Sequence, residues 1–465
     1  MRSKTALVCA LAIVAAAFAL PRAEASCGAP PEMAPLRFTA PKIVDALRAG
    51  GEPSILGLRD GTLILSSHAG LTHLYKSNLP DNGFATTYDG SDFVWRSEDG
   101  GATWQYVGFD GTGLGPHFGP GFSDPTLAED LGGNVYDAGI DLANVYVAKS
   151  GDSGKTWLGN PAAALFTDRE WLAADEANHV YMLASDPGRA IIESTDGGIT
   201  WNHGMGLPAK GGTDNPITVD QRDGTLYHPG GGSEFLERVY VFPNLRGTAD
   251  RASYYYGYIW GGLPHDYGFV NSSAVDDAGN VYVAANHWNQ ILLNYSTDRG
   301  HTWRTSVVAD AAPGHGALWP WVSAGADGRV AVSWLDVDFD APIPPAPDQL
   351  PVGGAFSVSG AFRVHAAESV TAHGWTDGCG EEQDPAWSES VVTPEPIHVG
   401  SVCAAGVQCN SDVSSNGDRR LGDYFTTSIT RDGALVMAFG DTQFQPGGAI
   451  SHPAFVAQTG GVDFR

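Results

Sequence analysis

The chain has 465 residues, of which 43% are hydrophobic and 17% charged, enough apolar surface for a large folded body and unlike the composition of a disordered one. It carries 53 Asp and Glu against 26 Lys and Arg, a formal charge of −27 at pH 7. A surface of that sign repels nucleic acid and anionic membranes, so neither is expected as a partner, and it disfavours polyanionic glycans unless a local basic pocket intervenes.

Residues 1–4 are basic, 5–20 are apolar, and Ala23-Glu24-Ala25 fits a small-x-small cleavage site. This reads as a secretory signal peptide over 1–25, too short for a membrane span, and places the mature protein outside the cytoplasm, secreted or periplasmic. Its removal strips Arg2, Lys4 and Arg22 against Glu24 and leaves the chain more acidic still. A segment over 26–50 follows. Four cysteines remain after cleavage: Cys27, Cys379, Cys403 and Cys409. In an exported chain an even count suggests two disulfides, with three connectivities possible. Cys403 and Cys409 are near enough in sequence to staple each other, which would leave Cys27 for Cys379. A zinc site lacks its CxxC spacing.

From residue 51 on, two repeats alternate. Turns of the D-G or G-N kind, flanked by apolar alternation, fall at 59–63, 131–135, 176–180, 222–226, 277–281, 326–330 and 431–435. Between some of them lies a longer pattern: SEDGGATW at 97–104, SGDSGKTW at 150–157, STDGGITW at 194–201 and STDRGHTW at 296–303. The shared core is S-x-D-x-G-x-T-W. Its Asp can accept backbone N–H groups and close a tight turn, its Gly can take φ > 0, and its Trp supplies an apolar plug between sheets. The steps between copies are roughly fifty residues or twice that, the length of one four-stranded meander. The short turns then join the first and second strands of seven blades, and the longer pattern joins the third and fourth. Three blades lack it: near Val241, near His365 and in the last blade.

The pattern resembles the Asp-box, or BNR repeat, of sialidase-like β-propellers of the secreted bacterial type. The segment 319–334 (WPWVSAGADGRVAVSW) is similar to those proteins as well. The resemblance implies an all-β, seven-bladed β-propeller with four Asp-box hairpins over 51–465, carrying a long insertion at 340–418. Within it, 340–354 is Pro-rich and 376–418 reads as a cysteine-bearing, lid-like loop between blades 6 and 7. Closure of the ring draws in either the segment after Arg37 or the tail near Phe455. The resemblance also implies a carbohydrate ligand. Sialidases grip a carboxylate with three arginines and use a Tyr nucleophile, a Glu and an Asp. Aligning their first blade on Gly61-Thr62-Leu63 puts their first arginine at Gly51, so ordinary exo-sialidase chemistry is not expected.

In a four-stranded blade the first-to-second and third-to-fourth turns share one face; the other face, where first strands begin, usually binds ligands. Its predicted loops carry the candidate residues. For glycoside hydrolysis these are the carboxylates Asp168, Glu170 and Asp423, with Tyr424 as nucleophile or proton donor. For a polysaccharide lyase, His68, His117 or His315 would take a proton. Arg169 and Arg419 would orient substrate, and His117, His265, Tyr267, His315, Trp319 and Trp321 would line the site. The same Trp and Asp residues also suit packing or bracing of the axial channel. No cofactor is expected, apart from a calcium ion that the alternating Asp336, Asp338 and Asp340 could hold. The partner is expected to be a glycan or polysaccharide and the protein a monomer. A non-catalytic propeller that binds a glycan or a protein is the alternative to an enzyme.

Overall fold

The computed structural model describes residues 28–68, 92–107, 123–141, 144–165, 167, 169–184, 190–202, 204–206, 215–233, 236–247, 253–261, 270–287, 289–340, 357–403, 418–448 and 450–465. The described chain is strand, turn and loop, ordered as seven antiparallel meanders. Blade 1 runs Gly51–Gly57, Leu63–His68, Phe93–Ser97, Gln105–Tyr106; blade 2, Thr126–Glu129, Val135–Asp141, Asn144–Ser150, Leu158–Leu165. Blade 3 runs Trp171–Ala174, Val180–Ala184, Ala190–Ser194, Met205–Gly206; blade 4, Thr218–Asp220, Thr225–Ser233, Leu236–Phe242, Tyr255–Trp260; blade 5, Ser273–Val275, Val281–His287, Gln290–Ser296, Arg304–Asp310. The first strands touch one another in cyclic order, blade 7 returning to blade 1, so the sheets close into a seven-bladed propeller. All seven short turns predicted from the sequence join first to second strands.

Burial explains why the ring holds. Each seam between neighbouring blades has its own apolar cluster: Ile64 with Val135, Tyr136 with Val180, Trp171 with Tyr240, Val239 with Val281, Tyr282 with Trp334, Phe362 with Leu435, and Leu65 with Val436. The core is thus a set of seams between sheets, each filled by the aliphatic and aromatic residues that pleated strands favour.

The four S-x-D-x-G-x-T-W corners are alike in detail. In each, the Ser hydroxyl donates to the Asp carboxylate at 2.8 Å and accepts the Gly N–H. The Asp also takes the Thr N–H and the Thr hydroxyl. Gly101, Gly154, Gly198 and Gly300 all have φ near +80°, where a side chain would be strained.

Blades 6 and 7 depart from the simple repeat. Blade 6 runs His315–Ala324, Val330–Phe339 and Ser357–Ser369, and its outer position is shared by Ser388–Val391 and His398–Cys403, which pair with opposite halves of the long third strand. The stretch 376–418, expected to be a loop, therefore supplies an outer strand in two pieces. Pro394 and Pro396 fall between the pieces, and proline cannot donate to a ladder. A small hairpin, Trp375–Thr376 with Glu382–Gln383, fills the third-to-fourth corner. Blade 7 runs Thr426–Ile429, Leu435–Asp441 and His452–Gly460, and its outer strand comes from the amino-terminal segment, Arg37–Phe38 and Lys42–Ile43. Both segments left open by the sequence thus take part. Blade 7 has no third-to-fourth hairpin because those two strands lie at opposite ends of the chain.

Candidate functional site

The meander sorts turns into two faces. The short turns and the four corners lie on one; the first strands begin on the other, around the axis. There a short pattern repeats. Glu52, Asp124, Arg169, Trp319 and Gly422 each have positive φ (48°, 61°, 59°, 55° and 74°) and each stands two residues before Ser54, Thr126, Trp171, Trp321 or Tyr424. Four of these are not glycine, and strain of that kind persists only where the surroundings hold it.

What the kinks bring together is an ionic cluster. Glu52, fully buried, accepts the backbone N–H of Asp124 at 3.1 Å and of Asp423 at 3.0 Å. Asp423 is gripped by Arg419 through both oxygens and by Arg169 at 2.5 Å. Arg419 also lies 3.8 Å from Glu52. Burial disfavours the Arg419 charge, but Asp423 outweighs it and holds the guanidinium above its ordinary value. Tyr424 is buried, donates to the Pro125 carbonyl at 2.9 Å, and packs between Trp171 and Trp321. Burial, with Glu52, Asp124 and Glu170, pushes its phenol well above its usual value. Of the predicted residues, Arg169, Glu170, Arg419, Asp423, Tyr424 and Trp321 gather here. Trp319, which carries one of the kinks, lies in the apolar seam between blades 6 and 7. Asp168, His117, His265 and Tyr267 lie outside the described residues.

A second group adjoins the first between blades 1 and 2. Tyr146 donates to Asp92 and lies 3.4 Å from Asp137; all three are buried. Burial, then Asp137, pushes the Asp92 carboxyl well above its ordinary range, with Glu52 and Asp124 adding to the effect. Burial pushes Asp137 up to about 7. The carboxyls of Glu52, Asp92, Asp124, Asp137, Glu170 and Asp423 outnumber Arg169 and Arg419, so in a dry site they cannot all ionise. Burial raises both members of the Asp92–Asp137 pair, so a proton is held most readily there. Gly139, opposite Tyr146 in the ladder, is obligatory: a Cβ there would lie 2.3 Å from Asp92 Oδ2. His68 is buried, its Nε2 directly over Gly51, its cross-strand partner.

Asp92, Asp137 and Tyr146 escaped the sequence reading. Asp137 had a signal, since it interrupts the buried run VYDAGI of a second strand, where apolar residues belong. Asp92 and Tyr146 had none, because their meeting depends on how blades 1 and 2 pack.

The remaining candidates lie off the axis. His315 Nδ1 is 2.8 Å from Asp336 and lines a cavity of about 620 Å³ between blades 5 and 6, with Arg363, His365 and Glu389. Asp338 is 3.9 Å from the other nitrogen of His315, and Asp340 accepts the Ser359 hydroxyl at 2.7 Å. Among the described residues, no three His, Cys, Asp or Glu side chains converge as a metal-holding group.

No family model and no curated protein matches this chain. Solved structures do. A protein of unknown function from Dyadobacter fermentans is 14% identical, with 91% of this chain and 98% of that chain covered and a TM-score of 0.44. A Hadza microbial sialidase is 15% identical over 62% of this chain and 63% of its own, at a TM-score of 0.37. A Penicillium chrysogenum α-L-arabinanase complexed with arabinobiose is 12% identical over 92% of this chain and 99% of its own, at 0.38.

Proposed function

We propose that the protein is an exported glycan-processing enzyme, a glycoside hydrolase acting on a neutral sugar at the axial end of blades 1 and 2. The observation that carries this reading is the buried Asp92–Tyr146–Asp137 group. Two carboxyls within reach of one hydroxyl are nearer to the roughly 5 Å spacing of a double-displacement pair than to the wider gap that admits a water. One of them keeps its proton near neutral pH, as a general acid must. The pair supplies both the acid and the partner carboxylate, its protons belonging to the pair and not to one member, with Tyr146 as the bridge. Arg169 and Arg419 stay engaged with Asp423 and position that carboxylate.

Two features argue for a neutral rather than a sialylated sugar. The arginines that would grip a substrate carboxylate are already spent on Asp423 and Glu52. The position where the sialidase resemblance puts a first arginine is Gly51, where a Cβ would lie 2.3 Å from His68 Nε2 and 2.9 Å from the Arg420 carbonyl. An arginine and His68 exclude each other there. The Asp-box corners belong to the same reading as fold-forming turns, on the face opposite the chemistry. Export is part of it too, and so is a Cys27–Cys379 disulfide: Cys379 is disulfide-bonded, and Gly28 packs beside Gly378.

The test is a turnover screen of the purified protein on neutral glycosides, sialosides and uronate polymers. Neutral glycosides should be cleaved, and Asp137→Asn should lower kcat by about 10²–10⁴-fold. Turnover of sialosides alone, or wild-type rates in Asp137→Asn, contradicts the assignment. Glycan-array binding without turnover of any substrate makes the protein a binding propeller instead.

A further inference from the structure

One flank of blade 4 presents an aromatic row. Tyr254, Tyr256, Tyr258 and Trp260 are 39%, 46%, 47% and 52% exposed, unusual for rings of that size. Tyr256, Tyr258 and Trp260 alternate along the outer strand Tyr255–Trp260, so they share one face at roughly 7 Å intervals, and Tyr254 stands just ahead of it. The intervening residues face blade 5: Tyr255 stacks on His301 at 4.2 Å, and a Cβ on Gly257 would strike Trp303. The exposed row is therefore turned toward blade 3. Among the described residues, the outer strand of blade 3 is Met205–Gly206, two residues against six in blade 4.

The row is built, not incidental. Tyr240, buried, sits edge-on to Tyr254 at 5.7 Å and to Tyr256 at 5.9 Å, and Phe242 backs Tyr254 at 5.6 Å. Tyr256 and Tyr258 meet edge to face at 5.5 Å. Arg238, opposite Tyr258 in the ladder, lies over both rings at 5.2 and 5.9 Å. Its Nη1 donates to the Tyr240 hydroxyl at 3.4 Å. In a chain of charge −27, this is a cation with no ion pair among the described residues.

We propose that this face binds a polysaccharide in which uronate residues accompany neutral sugars. Tyr and Trp rings stack on the apolar faces of pyranoses while their polar tips meet hydroxyls. Aliphatic side chains, the usual companions at a protein interface, are missing from the row. Arg238 supplies the positive charge that a uronate carboxylate needs in an otherwise repelling field. The row runs from the corner face to the axial face, ending at Trp260, so a bound chain leads toward the axis. This surface is separate from the acid pair, and either can fail without the other.

Native electrophoresis in gels holding gum arabic, its carboxyl-reduced form or dextran tests the proposal. The wild-type protein should be retarded by gum arabic, less by the reduced polymer, and the effect should shrink at high salt. Tyr256→Ala/Tyr258→Ala/Trp260→Ala should abolish retardation, Arg238→Gln should bring gum arabic down to the level of the reduced polymer, and hydrolysis of a small neutral glycoside should not change. Trp260→Ala alone, at a half-exposed position, guards against misfolding of the triple variant and should weaken retardation. Wild-type mobility unchanged by gum arabic, or retardation surviving in both ring variants, overturns the proposal. So does a wild-type dimer that the ring variants convert to monomer, since the row would then be a contact between copies.

Discussion

Individual side chains at the axis set how stability responds to pH. The folded protein holds a proton on Asp137 up to about pH 7, whereas an unfolded aspartate loses it near 3.8. Stability from this group is complete below the lower value and is lost as pH rises through the higher one. Glu368, which burial also raises to about 7, acts in the same sense. His179 adds a later loss: burial disfavours its charge, but Asp175 at 2.6 Å and Glu193 at 2.5 Å outweigh that and raise it to about 9. The melting temperature should therefore fall between about pH 5 and about pH 8, and less steeply in Asp137→Asn. Equal slopes in the two proteins, read from thermal unfolding across that range, would show that Asp137 carries no raised proton affinity. Asp137 was also the one member of its group that the sequence hinted at, as an acid inside an apolar strand. Glu52 had no such mark: its φ of 48° and its bonds to Asp124 and Asp423 depend on blades 1, 2 and 7 meeting at the axis.

The hairpins and strands were far more legible, because their chemistry is local. Each S-x-D-x-G-x-T-W corner is closed by bonds among residues no more than four apart, so sequence and structure carry the same information. Blade 6 was legible only in part. Its third strand has 13 residues and its outer strand is broken at two prolines, so the period failed there and the segment looked like a loop. A corner that only folds the chain gives a clear expectation. Asp196→Ala removes acceptors for the Ser194 and Thr200 hydroxyls and for two backbone N–H groups. It should cost about 1–2 kcal/mol in urea unfolding, because the turn is exposed and water replaces part of what is lost. Glycoside turnover at low temperature should stay at the wild-type rate. A large loss of kcat in a variant that remains folded would place chemistry on the wrong face.

Ring closure is what turns local elements into a site. The chain's two ends share blade 7, with Lys42 paired to Phe455 and Arg37 to Gly460, so the last sheet is complete only when the amino-terminal segment pairs with it. Closure then brings Glu52 of blade 1 against Asp423, just ahead of blade 7, and the axial cluster exists only in the finished circle. The same geometry keeps the four corners on the opposite face. The most direct test is a crystal structure of the protein with a neutral oligosaccharide it binds. The sugar should lie at the axial end, with a glycosidic oxygen within hydrogen-bonding reach of Asp137 or Asp92. A sugar seated instead against Asp99, Asp152, Asp196 or Asp298 on the corner face, with the axial end untouched, would contradict the account.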